Sequence, residues 1–212
     1  MKSVIALLSI FFLTELANAQ DTLIVCNNYK FKMGVKSIFE QSISLGRANS
    51  ESHAANGGGI QVINKLGKSK SSIETGIYYT TKVDESDYYI STGIESADKY
   101  TFTIPYHYLT VPISYRFDTK VFYFTGGFFV DYLISKNVEG KYLDYYLNHE
   151  RKLNFGSILT LGLEKAVSKN LSVFVEGRYS ITWSSSKTNI STSGYSNYGI
   201  AVGINYKVLR KN

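Results

Sequence analysis

The sequence predicts an all-β fold: one eight-stranded antiparallel transmembrane β-barrel with up-and-down meander order. Three observations predict it. Beyond its first twenty residues the chain alternates large apolar with small or polar residues in eight separate segments, the period-2 signature of strands. The connections between those segments alternate long and short. One column of each segment is uniformly large and apolar, while the other mixes Gly, Ser and Thr with charge, which suits a lipid-facing wall around a crowded lumen. Composition excludes the competing classes. Of 212 residues, 15% are aromatic and 19% charged, with 17 Gly, 2 Pro, one Cys and a net charge of +6. A disordered chain would be poorer in aromatics and richer in charge. The single Cys26 excludes a disulfide scaffold. No apolar run of about 18 residues follows the N-terminus, so a polytopic helical protein is excluded too.

Residues 1–20 read MKSVIALLSIFFLTELANAQ. Lys2 supplies the positive start, Val4–Leu13 the apolar stretch, and Ala17-Asn18-Ala19 an A-x-A cleavage site. Ten residues of helix rise only about 15 Å, half of the roughly 30 Å bilayer core. Residues 1–19 are therefore expected to be a cleaved signal peptide, and 20–212 the barrel domain. In an exported chain the Cys26 thiol has no partner cysteine.

The first segment sets Phe31, Met33, Val35 and Phe39 against Lys30, Lys32, Gly34, Lys36 and Glu40. The second is weaker, with Ile60, Val62 and Leu66 against Gly59, Gln61 and Lys65. In the third, Ile73, Ile77, Tyr79 and Val83 oppose Ser72, Glu74, Gly76, Tyr78, Thr80 and Lys82. The fourth sets Leu109, Val111, Ile113, Tyr115 and Phe117 against Tyr108, Thr110, Pro112, Ser114 and Arg116. The fifth has Phe122, Phe124, Phe128, Val130, Tyr132 and Ile134 against Tyr123, Thr125, Gly127 and Asp131. The sixth has Leu153, Phe155, Leu159, Leu161 and Leu163 against Lys152, Asn154, Gly156, Thr160, Gly162 and Glu164. The seventh has Leu171, Val173, Val175, Tyr179, Ile181 and Trp183 against Ser172, Phe174, Glu176, Arg178, Ser180 and Thr182. The eighth is the clearest: Tyr198, Ile200, Val202, Ile204, Tyr206 and Val208 against Gly199, Ala201, Gly203, Asn205 and Lys207.

Short connections are expected around Gly67-Lys68-Ser69, Asp118-Thr119 and Ser168-Lys169-Asn170, and long ones over Gln41–Asn56, Asp84–Pro105, Lys136–Glu150 and Ser184–Gly194. Strict alternation of this kind fits exterior loops and periplasmic turns, with both termini periplasmic. The second long connection is acidic, with Asp84, Glu85, Asp87, Glu95 and Asp98 against Lys99. Lys68, Lys70, Lys165, Lys169, Arg210 and Lys211 make the turn side basic, as anionic headgroups would favour.

Several of these strands resemble the PorT-like outer-membrane β-barrel family of Bacteroidota, also called the porin family. FKMGVKSIF at Phe31–Phe39 is similar to its opening strand, and SSIETGIYYTTK at Ser71–Lys82 to its third. YLTVPISYRF at Tyr108–Phe117 resembles its Tyr-Leu-x-Ile-Pro strand. GGFFVDYLIS at Gly126–Ser135 and LSVFVEGRYSITW at Leu171–Trp183 resemble strands five and seven. Thr110 stands where that family usually carries an acidic residue. The resemblance spans residues 29–209 and implies an eight-stranded barrel in the outer membrane. It leaves an envelope or secretion-machinery protein as the partner class, beside outer-membrane lipid.

The inner column is expected to hold a mutually neutralising charge network of Lys32, Lys36, Glu74, Arg116, Asp131, Glu164, Glu176 and Arg178, with Lys82 and Lys207 also inward. Eight strands enclose a lumen that their own side chains fill, so a wide pore is not expected. Tyr88, Tyr89, Tyr100, Tyr142, Tyr145 and Tyr146 are candidate contacts on exterior loops. His53 and His149 are placed in exterior loops and His107 near a strand start. They form no ligand spacing for a metal. Gly57-Gly58-Gly59 precedes no Lys-Ser/Thr and no helix, so it is no phosphate loop. No cofactor, nucleic-acid partner or catalytic set is expected. Two alternatives stand beside this non-enzymatic barrel: a soluble lipocalin-like binding barrel, and a barrel-embedded hydrolase or acyltransferase using Asp131 and His149.

Overall fold

The computed structural model describes residues 29–45, 52–67, 69–91, 97–119, 122–136, 152–183 and 194–209. They form β1 (Tyr29–Leu45), β2 (Ser52–Lys65), β3 (Ser71–Ser91), β4 (Ala97–Asp118), β5 (Phe122–Lys136), β6 (Leu153–Ala166), β7 (Leu171–Thr182) and β8 (Gly194–Leu209). Each strand pairs antiparallel with the next, and β8 returns to pair with β1 from Leu45↔Gly194 to Phe31↔Val208. The sheet is a closed barrel in meander order. Closure leaves no continuous sheet edge, so every strand in the wall finds backbone partners on both sides.

The alternation read from the sequence is the facing of the wall. Val202, Leu161 and Phe128 are 40%, 58% and 63% exposed, whereas Glu176 and Arg178 are 1% and 9% exposed. Large apolar side chains cover the outside, and polar ones line the centre together with Tyr29, Tyr78, Tyr106, Tyr108 and Tyr123. Two small apolar clusters also lie inside: Ile38 with Tyr78 and Ala201, and Ile104 with Tyr106, Tyr108 and Leu133. The second cluster and Tyr195, whose ring lies 6.5 Å from that of Tyr106, occupy the lumen toward the long-connection end.

Glycines on the inner column make room for these rings. Tyr123 sits opposite Gly162, Phe129 opposite Gly156, and Phe174 opposite Gly203. A Cβ on any of the three would collide with the facing ring. Large and small positions thus interlock across neighbouring strands, as a narrow lumen requires. In the β2–β3 turn, Gly67 has φ +66°, the left-handed conformation that favours glycine.

Four expectations are corrected, the briefest being Lys152, which is exposed just ahead of β6 instead of inward. Most of Gln41–Asn56 and Asp84–Pro105 is strand and not loop: β1 runs to Leu45, β2 begins at Ser52, and β3 and β4 stay in register from Val83↔Pro105 to Ser91↔Ala97. Asp84–Pro105 is rich in Tyr, Thr, Ile and Phe, whose strand propensity holds despite its acidic residues. His53 therefore lies in β2 and His107 well inside β4. Lys30 is exposed instead of inward, because a register irregularity between Tyr29 and Phe31 shifts the alternation and turns Tyr29 into the lumen.

The interlocking predicts a specific coupling. Gly162→Val should destabilise the folded barrel by about 1–3 kcal/mol through overpacking against Tyr123. In a Tyr123→Ala background the same substitution should cost far less. Urea unfolding of the four proteins in detergent micelles measures both terms, and equal costs in the two backgrounds would refute the interlock.

Candidate functional site

The lumen holds the chain's concentrated chemistry. Alternation carries one side chain in two to the centre, and closure brings columns from distant parts of the sequence within contact. From the turn end, Lys32 of β1 meets Glu164 of β6 at 2.8 Å. Glu164 also binds the guanidinium of Arg116 on β4 and accepts from Ser172 on β7. Arg116 reaches Asp118 at 2.8 Å and Glu74 of β3 at 3.4 Å. Lys36 lies 2.9 Å from Glu74 and 2.9 Å from Glu176 of β7. Glu176 approaches Arg178 at 3.6 Å, and Arg178 binds Glu40 at 2.8 Å. Four cations and five carboxylates thus form one unbroken chain of ion pairs running through the lumen.

Aromatic rings fasten this chain to the wall. The Arg116 guanidinium carbon lies 3.5 Å above the centre of the Tyr123 ring, and the Tyr123 hydroxyl donates to Glu176 at 2.7 Å. Lys36 stands over Tyr78 at 5.6 Å and Phe174 at 5.5 Å. Neutral hydrogen bonds fill the spaces between: Gln61 donates to Asn205 at 2.7 Å, and the Thr125 and Thr160 hydroxyls are bonded to each other.

Lys32, Lys36, Glu74, Arg116, Glu164, Glu176 and Arg178 all belong to the connected chain. Asp131 does not. It forms a separate, fully buried pair with Lys82, and its other oxygen accepts from Thr110 at 2.6 Å. Lys82 also donates to Thr182 at 3.2 Å and lies 4.8 Å from the Phe129 ring centre. Glu40 and Asp118 were missed as members. Both lie in the inward register of their strands, so extending the alternation two residues past Arg116 would have found Asp118.

Both Asp131 oxygens are engaged, and His149 lies outside the described residues. Among the described residues, no group of three or more His, Cys, Asp and Glu is placed to hold a metal ion. His107 accepts from or donates to the Tyr79 hydroxyl at 2.6 Å, with the two rings stacked at 5.7 Å on the outer wall. Tyr88, Tyr89 and Tyr100 belong to paired strands, with Tyr88↔Tyr100 and Tyr89↔Lys99 in register. Tyr142, Tyr145 and Tyr146 lie outside the described residues.

A buried pair loses most when one partner is removed alone. Lys82→Met should therefore destabilise the barrel by about 3–5 kcal/mol, while Lys82→Met with Asp131→Leu should recover most of that loss. Chemical unfolding of both variants tests this. A double variant no more stable than Lys82→Met would contradict the pair.

No protein-family model matches the sequence, and no curated protein does; the resemblance to the PorT-like family therefore finds no counterpart there. Several solved structures are similar in outline. Neisserial surface protein A is 13% identical with a TM-score of 0.47, over 84% of this chain and 97% of that one. The outer membrane protein OprG from Pseudomonas aeruginosa is 10% identical with a TM-score of 0.46, over 87% and 99%. Ail, the attachment invasion locus protein of Yersinia pestis, is 8% identical with a TM-score of 0.38, over 84% and 99%. Likeness at such identities bears on the fold alone, and the closed barrel stands on its own strand pairing.

Proposed function

We propose that this chain is an integral outer-membrane β-barrel without enzymatic activity, exported by its residues 1–19, with both termini in the periplasm and its long-connection end offered for binding or assembly outside. The single observation that carries the reading is the inverted facing: a continuous apolar outer wall around a centre of buried charge. A soluble barrel reverses that order. The height of the wall agrees. On β6 the outward column runs from Leu153 to Leu163, which is about 34 Å of strand. At a tilt of about 40° that is roughly 26 Å of height, against about 25 Å for the apolar band of membrane barrels.

Aromatics mark both rims of the wall. Tyr115, Phe117, Phe122 and Tyr206 are exposed toward the turn end, and Tyr79, Tyr132, Tyr179, Trp183 and Tyr198 toward the other. Such girdles sit at membrane interfaces, where a ring keeps its apolar body dry and its polar tip wet. Side chains that fill the lumen support a barrel closed to diffusing solutes: Arg116, Tyr29, Tyr78, Tyr106, Tyr123 and Lys207 are each under 2% exposed or at it. The ion-pair chain then serves to hold the strands in register, and the engaged carboxylates favour a structural over a catalytic role.

Two experiments test the reading. Val202→Arg places a cation on the lipid face and should block assembly, since an arginine near the midplane costs about 2–4 kcal/mol. Ala201→Ser, one residue away and inward, should be mild. Heat-modifiable gel migration of membrane fractions reports both, and equal effects would count against the facing. For orientation, in a Cys26→Ala background on intact cells, a membrane-impermeant thiol reagent should label Asn148→Cys and spare Ser69→Cys. The reverse pattern would overturn the periplasmic placement of the turns.

A further inference from the structure

The outer wall is not uniformly filled. Outward positions on β7 run Leu171, Val173, Val175, Gly177 and Tyr179, so one position lacks a side chain. Gly177 pairs with Leu161 on one side and with Ile200 on the other. The result is an open groove of about 450 Å³ lined by Phe122, Leu161, Leu163, Val175, Gly177 and Ile200.

Neither crowding nor backbone conformation calls for this glycine. Among the described strand glycines, only Gly177 could take a Cβ without meeting any atom closer than 3.8 Å, and its φ is not positive. Glycine inside a strand forfeits side-chain packing and often marks a close approach by a ligand or another backbone. Charge lies beside the groove. Lys165 follows Leu163 in the outward column of β6, and Lys169 is exposed in the adjoining β6–β7 turn. From Leu161 to Lys165 the strand rises about 13 Å, or roughly 10 Å along the barrel axis, so the groove lies within one leaflet's hydrocarbon while both lysines reach its headgroups.

We propose that the Gly177 groove seats one acyl chain of an anionic phospholipid of the turn-side leaflet, with Lys165 and Lys169 holding its phosphate. The proposal rests on the membrane-embedded reading above. Apolar lining alone selects no particular lipid; the two lysines select for negative charge, at about fivefold in affinity each. The groove is a depression into which a chain can settle.

The test uses the full barrel in phosphatidylcholine vesicles with trace spin-labelled phosphatidylglycerol or phosphatidylcholine. Electron paramagnetic resonance reads the motionally restricted fraction. The wild-type protein should restrict the anionic label in clear excess over the neutral one. Lys165→Gln with Lys169→Gln should bring the anionic label down to the neutral level. Gly177→Leu, which fills open space on the outer wall, should abolish the excess while the barrel still floats with vesicles and stays heat-modifiable. Equal restriction of both labels by the wild-type protein, or an excess unchanged by Gly177→Leu, would overturn the proposal. So would a wild-type dimer that Gly177→Leu converts to a monomer, since the groove would then belong to a second copy. Failure to float with vesicles at all would instead refute the membrane reading itself.

Discussion

Arg116 is wholly buried, and three carboxylates surround it: Glu74, Asp118 and Glu164. Putting a guanidinium out of reach of water is costly unless its charge is met and its donors are used. This is the constraint that orders the rest of the lumen. Glu74 and Glu164 bring in Lys36 and Lys32, Lys36 brings in Glu176, and Glu176 brings in Arg178 and Glu40. Because the members sit on β1, β3, β4, β6 and β7, the ion pairs tie strands that are not neighbours in the wall. Backbone pairing closes the barrel, and the charge network specifies which column faces in.

Filling the remaining space is a matter of volume. The lumen of eight strands is narrow, so rings must be matched by positions with no side chain. Tyr123 over Gly162 joins packing to electrostatics, since the same ring carries Arg116 on its face and donates its hydroxyl to Glu176. The outer wall follows the opposite logic. On the proposed membrane reading that wall meets lipid tails, which adapt to an uneven surface, so nothing demands interlocking there, and an empty position such as Gly177 carries meaning that an inner glycine does not.

Much of this was legible in the sequence, because a one-in-two alternation fixes facing directly. In β7 and β8 every residue given a face has that face, and seven of eight expected network members meet in one chain. Three things were not legible. Asp131 pairs with Lys82 because barrel stagger sets which inward residues share a level, and stagger is invisible along one strand. Tyr29 turns inward through a register irregularity that no alternation announces. The length of the β3–β4 hairpin was hidden because Asp84-Glu85-Ser86-Asp87 interrupts the apolar alternation, while the pairing runs on to Ser91↔Ala97.

The central claim is that the outer columns touch hydrocarbon and the inner ones do not touch bulk water. Nitroxide accessibility measures that directly, with single labels at Val202→Cys, Leu161→Cys and Phe128→Cys in a Cys26→Ala barrel reconstituted in vesicles. At all three positions oxygen should collide often and a water-soluble nickel chelate rarely, with depth greatest toward mid-wall. High nickel accessibility at these positions, in a barrel that is folded and vesicle-bound, would contradict the facing from which the whole account is built.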